Sequence, residues 1–563
     1  MTNPDSPQTS SALTVPAKIA WGVLICITLA VCYFSSLGTI GFVGPDEPRY
    51  AWIARDMAES GDWVTPRLYG RPWFEKPPLF YWMAGISFKL FGVSEVAARL
   101  PSALCALLAT LALAWLAWRV YGEETARLLL LLLPTSVGMI GFSHAAATDM
   151  PFSAMLTIAM VCAAVIFGFT RNEHTPILPH TPWLALVLFG VFLGLAVLAK
   201  GPAAIVLTGG GVFFWALFTK GWRDVFRLVH PVAIAAFCVT AFPWYILCAR
   251  RNPDFFRVFI IEHNFKRYLT PEFQHIQPFW YYVPVILVAF VPWTGALLWA
   301  GLVGGKRLLA QTRLAEPSLF LLTWAGFCFL FFSASRSKLP GYVLPAFPAV
   351  ALLLSVTLSK VHIRKPLGYV LLCCALLLFA GLLPLRLALH ETSKTWPQVF
   401  YCYAAVIMVL AAADAVWALS EISGPNSPMA FALQAASIVL VLLLVLFANR
   451  LISGFIVWDP SGRTLAKELR LRNTPLDTLS VRSMNRGQLY SLNFYLRKEI
   501  PLLQQDELRE GSVLLRSSMC ERLSSDGWQT RELAFDAQRT GWFLCEVKER
   551  NSADGAAHGG QVR

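Results

Sequence analysis

Apolar runs separated by short polar connectors fill most of the chain, at residues 19–37, 101–118, 128–142, 150–169, 183–198, 202–218, 232–247, 282–302, 319–332, 342–358, 367–385, 399–419 and 430–447. Each approaches the roughly 20 residues that a helix needs to cross a bilayer, so the pattern predicts about 13 spanning helices. The stretch 77–91 is apolar enough to cross, but its length of about 15 residues is that of an interfacial or re-entrant helix. Basic residues in the connectors decide its placement. With 77–91 on the surface, Arg119, Arg127, Arg171, Lys220, Arg223, Arg227, Lys306, Arg307, Arg313, Lys360, Arg364 and Lys365 all share the side of the N-terminus. That is the positive-inside arrangement, and it would be inverted if 77–91 spanned. The N-terminus is therefore expected in the cytoplasm, with a membrane helix bundle over residues 1–449 and an extracytoplasmic tail over 450–563.

Composition agrees with this reading. Hydrophobic residues make up 56% of the 563 residues and charged ones only 14%, which excludes an ordinary soluble assembly or a disordered chain. The net charge of +13 does not mark a nucleic-acid binder, because Lys and Arg are scattered between apolar runs instead of lining one soluble face. Ten of the 12 cysteines lie in apolar runs, where they act as small hydrophobes. Cys520 and Cys545 fall in polar sequence and can form one disulfide if the tail is extracytoplasmic. The tail alternates helical pattern at 464–472 and 488–497 with apolar runs at 512–515 and 542–547, the signature of a small α/β domain.

The expected outer segments hold the chemically varied residues. Asp46 and Glu47 follow the first span. Pro48 suits the first turn of a short amphipathic helix whose Trp52, Ile53 and Met57 can lie against the membrane. Adjacent carboxylates at a helix start point in different directions, so one can face a cavity while the other pairs with a base such as Arg49 or Arg55; both can equally be solvated interfacial charges. Glu75 and Lys76 are pinned between Phe74 and the pair Pro77, Pro78. Asp149 and Lys200 stand at the ends of spans, where helix capping and interfacial anchoring are the plain alternatives to function. The loop from 262 to 275 supplies Glu262, His263, Lys266, Arg267 and His275, and SRSKLPGY supplies Arg336, Lys338 and Tyr342. Cations recurring on several outer loops point to a phosphate-bearing ligand. Asp414, inside an apolar run, is either a functional acid or hydrogen-bonded to a neighbouring helix.

The run GPDEPRYAWIARDMAESGDW, followed by RPWFEKPPLFYW, Thr148-Asp149, EHNFKRY, QHIQPFWYY and SKLPGYVLPAFP, resembles the GT-C membrane glycosyltransferases of the protein O-mannosyltransferase type, and among them the aminoarabinose lipid A transferases. The resemblance covers nearly the whole chain, although FEKPP and KLPGY are shared with relatives that use other acceptors. It implies a mainly α fold, a bundle with juxtamembrane helices and a small soluble α/β domain above a periplasmic cavity, in the bacterial inner membrane. The implied donor is undecaprenyl phosphate carrying 4-amino-4-deoxy-L-arabinose, and the implied acceptor is a phosphate of lipid A.

By the same resemblance, Asp46 is the catalytic acid and Asp149 a second cavity acid. Glu47, Glu75, Lys76, Lys200, His263, Lys266, Arg267 and Tyr342 are expected to bind substrate, with Lys76 and either Lys266 or Arg267 on the donor phosphate. A donor that arrives activated needs no resident cofactor. A divalent metal would draw on Glu75 and His263, whose spacing matches none of the usual zinc signatures. Two alternatives stay open: a related transferase using another polyprenyl-phosphate sugar with a protein or lipopolysaccharide-core acceptor, and a polyprenyl-phosphate lipid transporter.

Overall fold

The computed structural model describes residues 15–170, 182–259, 262, 276–310, 315–360, 375, 396–423, 428–454, 461–503, 511–515, 529–533 and 542–548. Helix dominates. From the N-terminal side come α1 (Val15–Phe34), α2 (Asp46–Ser60), α3 (Leu79–Phe91), α4 (Glu95–Tyr121), α5 (Glu123–Thr135), α6 (Val137–Ser143), α7 (Asp149–Ile166), α8 (Trp183–Lys200), α9 (Ala203–Thr219), α10 (Trp222–Leu228) and α11 (Pro231–Arg251). Among the described residues seven helices are long and apolar enough to cross a bilayer, and an eighth crossing arises if α5 and α6, bent by 63°, count together. Shorter apolar helices include 18–34, α9, 279–289 and 432–447, and the expected span at 367–385 lies outside the described residues.

Two expected spans are broken. The run 128–142 bends at Ser136, after Pro134, and the run 282–302 parts into Tyr282–Ala289 and Thr294–Ala310 around Pro292. Proline removes a ladder donor, and a break in an apolar medium must find other partners. The two breaks supply each other. Val137 N–H donates to the Val291 carbonyl at 3.0 Å, and Trp293 Nε1 donates to Thr135 Oγ1 at 2.8 Å. Elsewhere small residues bring helices together: a Cβ added at Gly190 would stand 2.2 Å from the Ala233 carbonyl oxygen, so α8 and α11 meet at backbone distance.

The run 77–91 forms α3, whose 13 residues extend only about 20 Å, short of a hydrocarbon core. It packs on α2 instead. Ile53 and Met57 are fully buried with Phe80, Tyr81 and Phe42. This corrects the expectation that Ile53 and Met57 lie against the membrane: the apolar face of α2 is covered by protein, each large side chain contributing about 1.5–3 kcal/mol by burial. Trp52 meets the Tyr69 ring at 4.8 Å, near the hairpin β1 (Arg67–Leu68) and β2 (Arg71–Pro72).

The tail forms the expected mixture of helix and sheet. Helices Arg463–Leu471 and Arg486–Leu496 lie within two residues of the sequence pattern, and the strands are β3 (Leu479–Arg482), β4 (Leu502–Leu503), β5 (Gly511–Leu515), β6 (Gln529–Leu533) and β7 (Phe543–Lys548). They make one sheet in the order β4-β3-β5-β7-β6, parallel around β3 and antiparallel around β7. The Arg486–Leu496 helix docks on the loop that leads into α2. Ser491 Oγ donates to the Phe42 carbonyl at 3.0 Å, Phe42 N–H donates to Tyr495 Oη at 3.1 Å, and Phe494 meets the Phe42 ring edge-on at 4.8 Å. Gly487 is required by this contact, since a Cβ there would lie 2.9 Å from the Gly44 carbonyl carbon. Gly487→Ala should therefore lower stability by about 1–3 kcal/mol, seen as a drop in melting temperature in detergent; an unchanged melting temperature would mean that the tail does not dock this way.

Candidate active site

The turn GPDEPR places two neighbouring carboxylates at the start of α2, and they serve different ends. Glu47 faces inward, and each of its oxygens accepts twice. Oε1 takes Arg99 Nε at 3.0 Å and Ala146 N–H at 2.8 Å, while Oε2 takes Arg99 Nη2 at 2.8 Å and Val43 N–H at 2.9 Å. Arg99, on the first turns of α4 and 2% exposed, spends its other N–H groups on the carbonyls of Leu37, Ile40 and Gly41. All five guanidinium donors are thereby used. Glu47 is accordingly a structural pin and not the substrate contact expected from the sequence, and its cationic partner is Arg99 in place of Arg49 or Arg55.

Asp46 points the other way and is the open member of its group, with 45% of its side chain exposed. Arg49, one turn on, pairs with Asp46 and also donates through Nη1 to Glu75 Oε2 at 3.0 Å. Glu75 in turn has Lys76 Nζ 3.9 Å from its other oxygen. The Arg49 guanidinium lies 5.6 Å from the Tyr50 ring centroid, 5.5 Å from Trp73 and 5.7 Å from Tyr490 of the tail. Burial opposes its charge, but the carboxylates of Glu75 and Asp46 outweigh this and hold its pKa above the ordinary arginine value. The Tyr50 and Tyr81 phenols are pushed well above their usual range, first by burial and then by Glu75 and Asp46, so both stay protonated.

A second group forms where α7 begins and α8 ends. Lys200 Nζ donates to Asp149 Oδ1 at 2.5 Å and stands 4.8 Å from the Tyr342 ring and 5.4 Å from Phe152. The glycine of KLPGY has its reason here: a Cβ on Gly341 would lie 2.7 Å from Asp149 Oδ1. The Glu47 pin connects the two groups, because Ala146 is three residues from Asp149 and the intervening chain spans at most about 11 Å. Asp46, Glu75, Lys76, Asp149, Lys200 and Tyr342 thus gather at one end of the helix bundle.

Other candidates fall elsewhere. Lys338 is 5% exposed and donates to the carbonyls of Gln277 and Ser335, so it stitches two loops together; burial lowers its pKa. Glu262 pairs with Arg257 at 3.4 Å. His263, Lys266, Arg267, His275 and Cys520 lie outside the described residues, while Cys545 is buried and disulfide-bonded. Asp414 is buried in the helix Trp396–Ser423, its Oδ2 without a hydrogen-bond partner among the described residues. No cluster of three metal-ligating side chains occurs among the described residues, and Glu75 already serves Arg49. Beside Glu75 a cleft of about 450 Å³ is lined by Trp73, Phe74, Asn252 and Asp254.

Sequence reasoning missed Arg99 and Tyr490. An arginine directly after the alanine pair Ala97, Ala98, in the first turns of an apolar helix, was a readable signal, because a charge at that depth needs a partner. Tyr490 had none, since only the docking of the tail brings it to Arg49.

A bundle of apolar helices with alternating acids and bases at one end is the architecture of membrane glycosyltransferases, and the comparisons agree. The family model described as dolichyl-phosphate-mannose-protein mannosyltransferase matches residues 19–259. The undecaprenyl phosphate-alpha-4-amino-4-deoxy-L-arabinose arabinosyl transferase of Serratia proteamaculans is 32% identical over 77% of this chain and 76% of its own length. That of Sodalis glossinidius is 33% identical over 59% of this chain and 58% of its own. Among solved structures, ArnT from Cupriavidus metallidurans bound to undecaprenyl phosphate superposes with a TM-score of 0.75 at 24% identity, covering 93% of this chain and 98% of that one. Its apo form gives 0.74 at 25% identity, covering 94% and 98%. The chain belongs to the undecaprenyl phosphate-aminoarabinose arabinosyl transferase family of membrane glycosyltransferases.

The Glu47 pin carries its own prediction. Glu47→Gln and Arg99→Met should each destabilise the protein by about 3–5 kcal/mol, and the double variant should fall well short of the sum, because each single change strands a buried partner. Melting in detergent measures this, and strictly additive losses would show that the two residues act independently.

Proposed function

We propose that the protein moves 4-amino-4-deoxy-L-arabinose from undecaprenyl phosphate to a phosphate of lipid A, at the periplasmic face of the bacterial inner membrane. The observation that carries this reading is the open carboxylate of Asp46, held by a buried arginine within a cluster of alternating charges, in a chain of this family. An oxygen of the acceptor phosphate forms the new bond to the anomeric carbon from one face. The bond from that carbon to the donor oxygen breaks on the other, and its electron pair leaves with undecaprenyl phosphate. The sugar configuration inverts. A phosphate acceptor has a second pKa of about 6 and needs no general base. Positive charge builds on the sugar, where Asp46 offsets it, and negative charge builds on the departing oxygen, where Lys76 does so. Asp149 orients the Lys200 ammonium toward the same end of the bundle. No step in this scheme calls for a resident cofactor.

The periplasmic orientation has two supports: the basic loops on the side of the N-terminus, and the Cys545 disulfide, which belongs to an oxidising compartment. Charged groups gathered at one end instead of along the midplane favour transfer over transport.

Purified protein incubated with undecaprenyl phosphate-aminoarabinose and lipid A should raise the acceptor mass by one aminopentose. An adduct formed only from a different lipid-linked sugar would overturn the substrate assignment. Asp46→Asn should lower turnover by about a thousandfold while still inserting and melting like the parent, and near-parental turnover would remove Asp46 from catalysis. In intact spheroplasts, an impermeant maleimide should label Ser60→Cys and spare Lys220→Cys; the reverse result would invert the orientation.

A further inference from the structure

We propose that Tyr490, carried by the soluble tail, is a positioning residue for the transfer reaction, acting on Asp46 through Arg49. The inference rests on the function proposed above and names a part of the site that lies outside the membrane bundle. Arg49 pairs with both Asp46 and Glu75, and it is 5% exposed. Its guanidinium meets carboxylates at its edge, so its orientation depends on what covers its faces. Those covers are rings: Tyr50 on its own helix, Trp73 from the loop after β2, and Tyr490 from the tail helix Arg486–Leu496.

Tyr490 is itself fixed on several sides. Its ring stacks on Tyr69 at 6.2 Å and 29°, and Arg486 Nε donates to its hydroxyl at 3.2 Å. Three residues on, Asn493 Nδ2 donates to the Tyr69 hydroxyl at 3.0 Å. The same helix grips the chain just before Asp46, through Ser491 and Tyr495 on Phe42 and through the close approach of Gly487 to Gly44. One helix of the tail thus fixes both the backbone leading into Asp46 and the cation that orients its carboxylate. An aromatic face over a desolvated guanidinium attracts it and excludes water. Without that ring, the guanidinium gains water and rotational freedom, and Asp46 loses a defined position relative to the sugar.

The test compares Tyr490→Leu, Tyr490→Phe and Leu469→Ala with the parent in purified full-length protein, using undecaprenyl phosphate-aminoarabinose and lipid A. Leucine fills most of the volume without a π face, so Tyr490→Leu should lower kcat about tenfold with KM for the donor within about threefold. Tyr490→Phe keeps the face and should recover kcat to within about twofold. Leu469→Ala opens the tail's own apolar core but leaves the ring over Arg49 and the bonds to Phe42 in place, so it should lower the melting temperature and spare kcat. Parental kcat in Tyr490→Leu, failure of phenylalanine to rescue, or an equal kcat loss in Leu469→Ala would each overturn the inference. If Tyr490→Leu melts below the assay temperature, Tyr490→Met takes its place. Absence of transfer by the parent would instead refute the proposed function, which keeps the two failures distinct.

Discussion

The arrangement of this site depends on one buried carboxylate whose two oxygens are both taken up by protein donors. Glu47 accepts two hydrogen bonds from Arg99 and two from backbone N–H groups, and through them ties together the loop after α1, the start of α4 and the turn before α7. These segments are more than 50 and nearly 100 residues apart in sequence. At the edge of a bilayer an unpaired buried charge is costly, so the pair can persist only with its full set of partners. Its neighbour Asp46 is placed as a consequence. Because successive residues of a helix start diverge, fixing Glu47 inward turns Asp46 outward to the open end of the bundle.

The charges of the site follow an alternating order that physics favours in a poorly screened setting. Asp46, Arg49, Glu75 and Lys76 run acid, base, acid, base, and Asp149 with Lys200 adds one further pair. Formally these six groups sum to zero. Neutrality lets them cluster without large mutual repulsion, yet a lipid phosphate and a phosphate acceptor would each add negative charge. The chain carries further cations in EHNFKRY, at Lys266 and Arg267. A neutral cluster that receives two phosphorylated lipids needs further cations to offset their charge.

The fold was legible where a single physical rule acts along the chain. Helix positions followed from the apolar runs, the shortness of α3 from the length of the run at 77–91, and the helices and strands of the tail from the change of hydrophobic period. Breaks were less legible: Pro134 and Pro292 are visible, but that Val137 bonds to Val291 depends on two segments more than 150 residues apart. The site divides in the same way. Asp46, Glu75, Lys76, Asp149, Lys200 and Tyr342 stand in motifs, and the structure brings them to one end of the bundle. The exchange of roles at Glu47, the anchoring of Lys338 to carbonyls and the burial of Ile53 and Met57 against α3 all depend on tertiary partners. Residue type announces that a charge needs a partner, but not which one it finds.

The soluble tail therefore does more than decorate the bundle. A guanidinium open to water would be screened and could exchange its carboxylate partners for solvent, leaving Asp46 with no fixed bearing. Covering it from within the membrane part alone would require a lid of the bundle's own chain over a site that must also admit two lipids from the side. A ring brought by the helix Arg486–Leu496 resolves the conflict, since it covers the guanidinium without drawing on the bundle's own chain. Tyr490 over Arg49, Tyr495 on Glu95 and the sheet behind them are disposed in that way. Protection of the cluster's charges is thus assigned to a segment far from them along the chain.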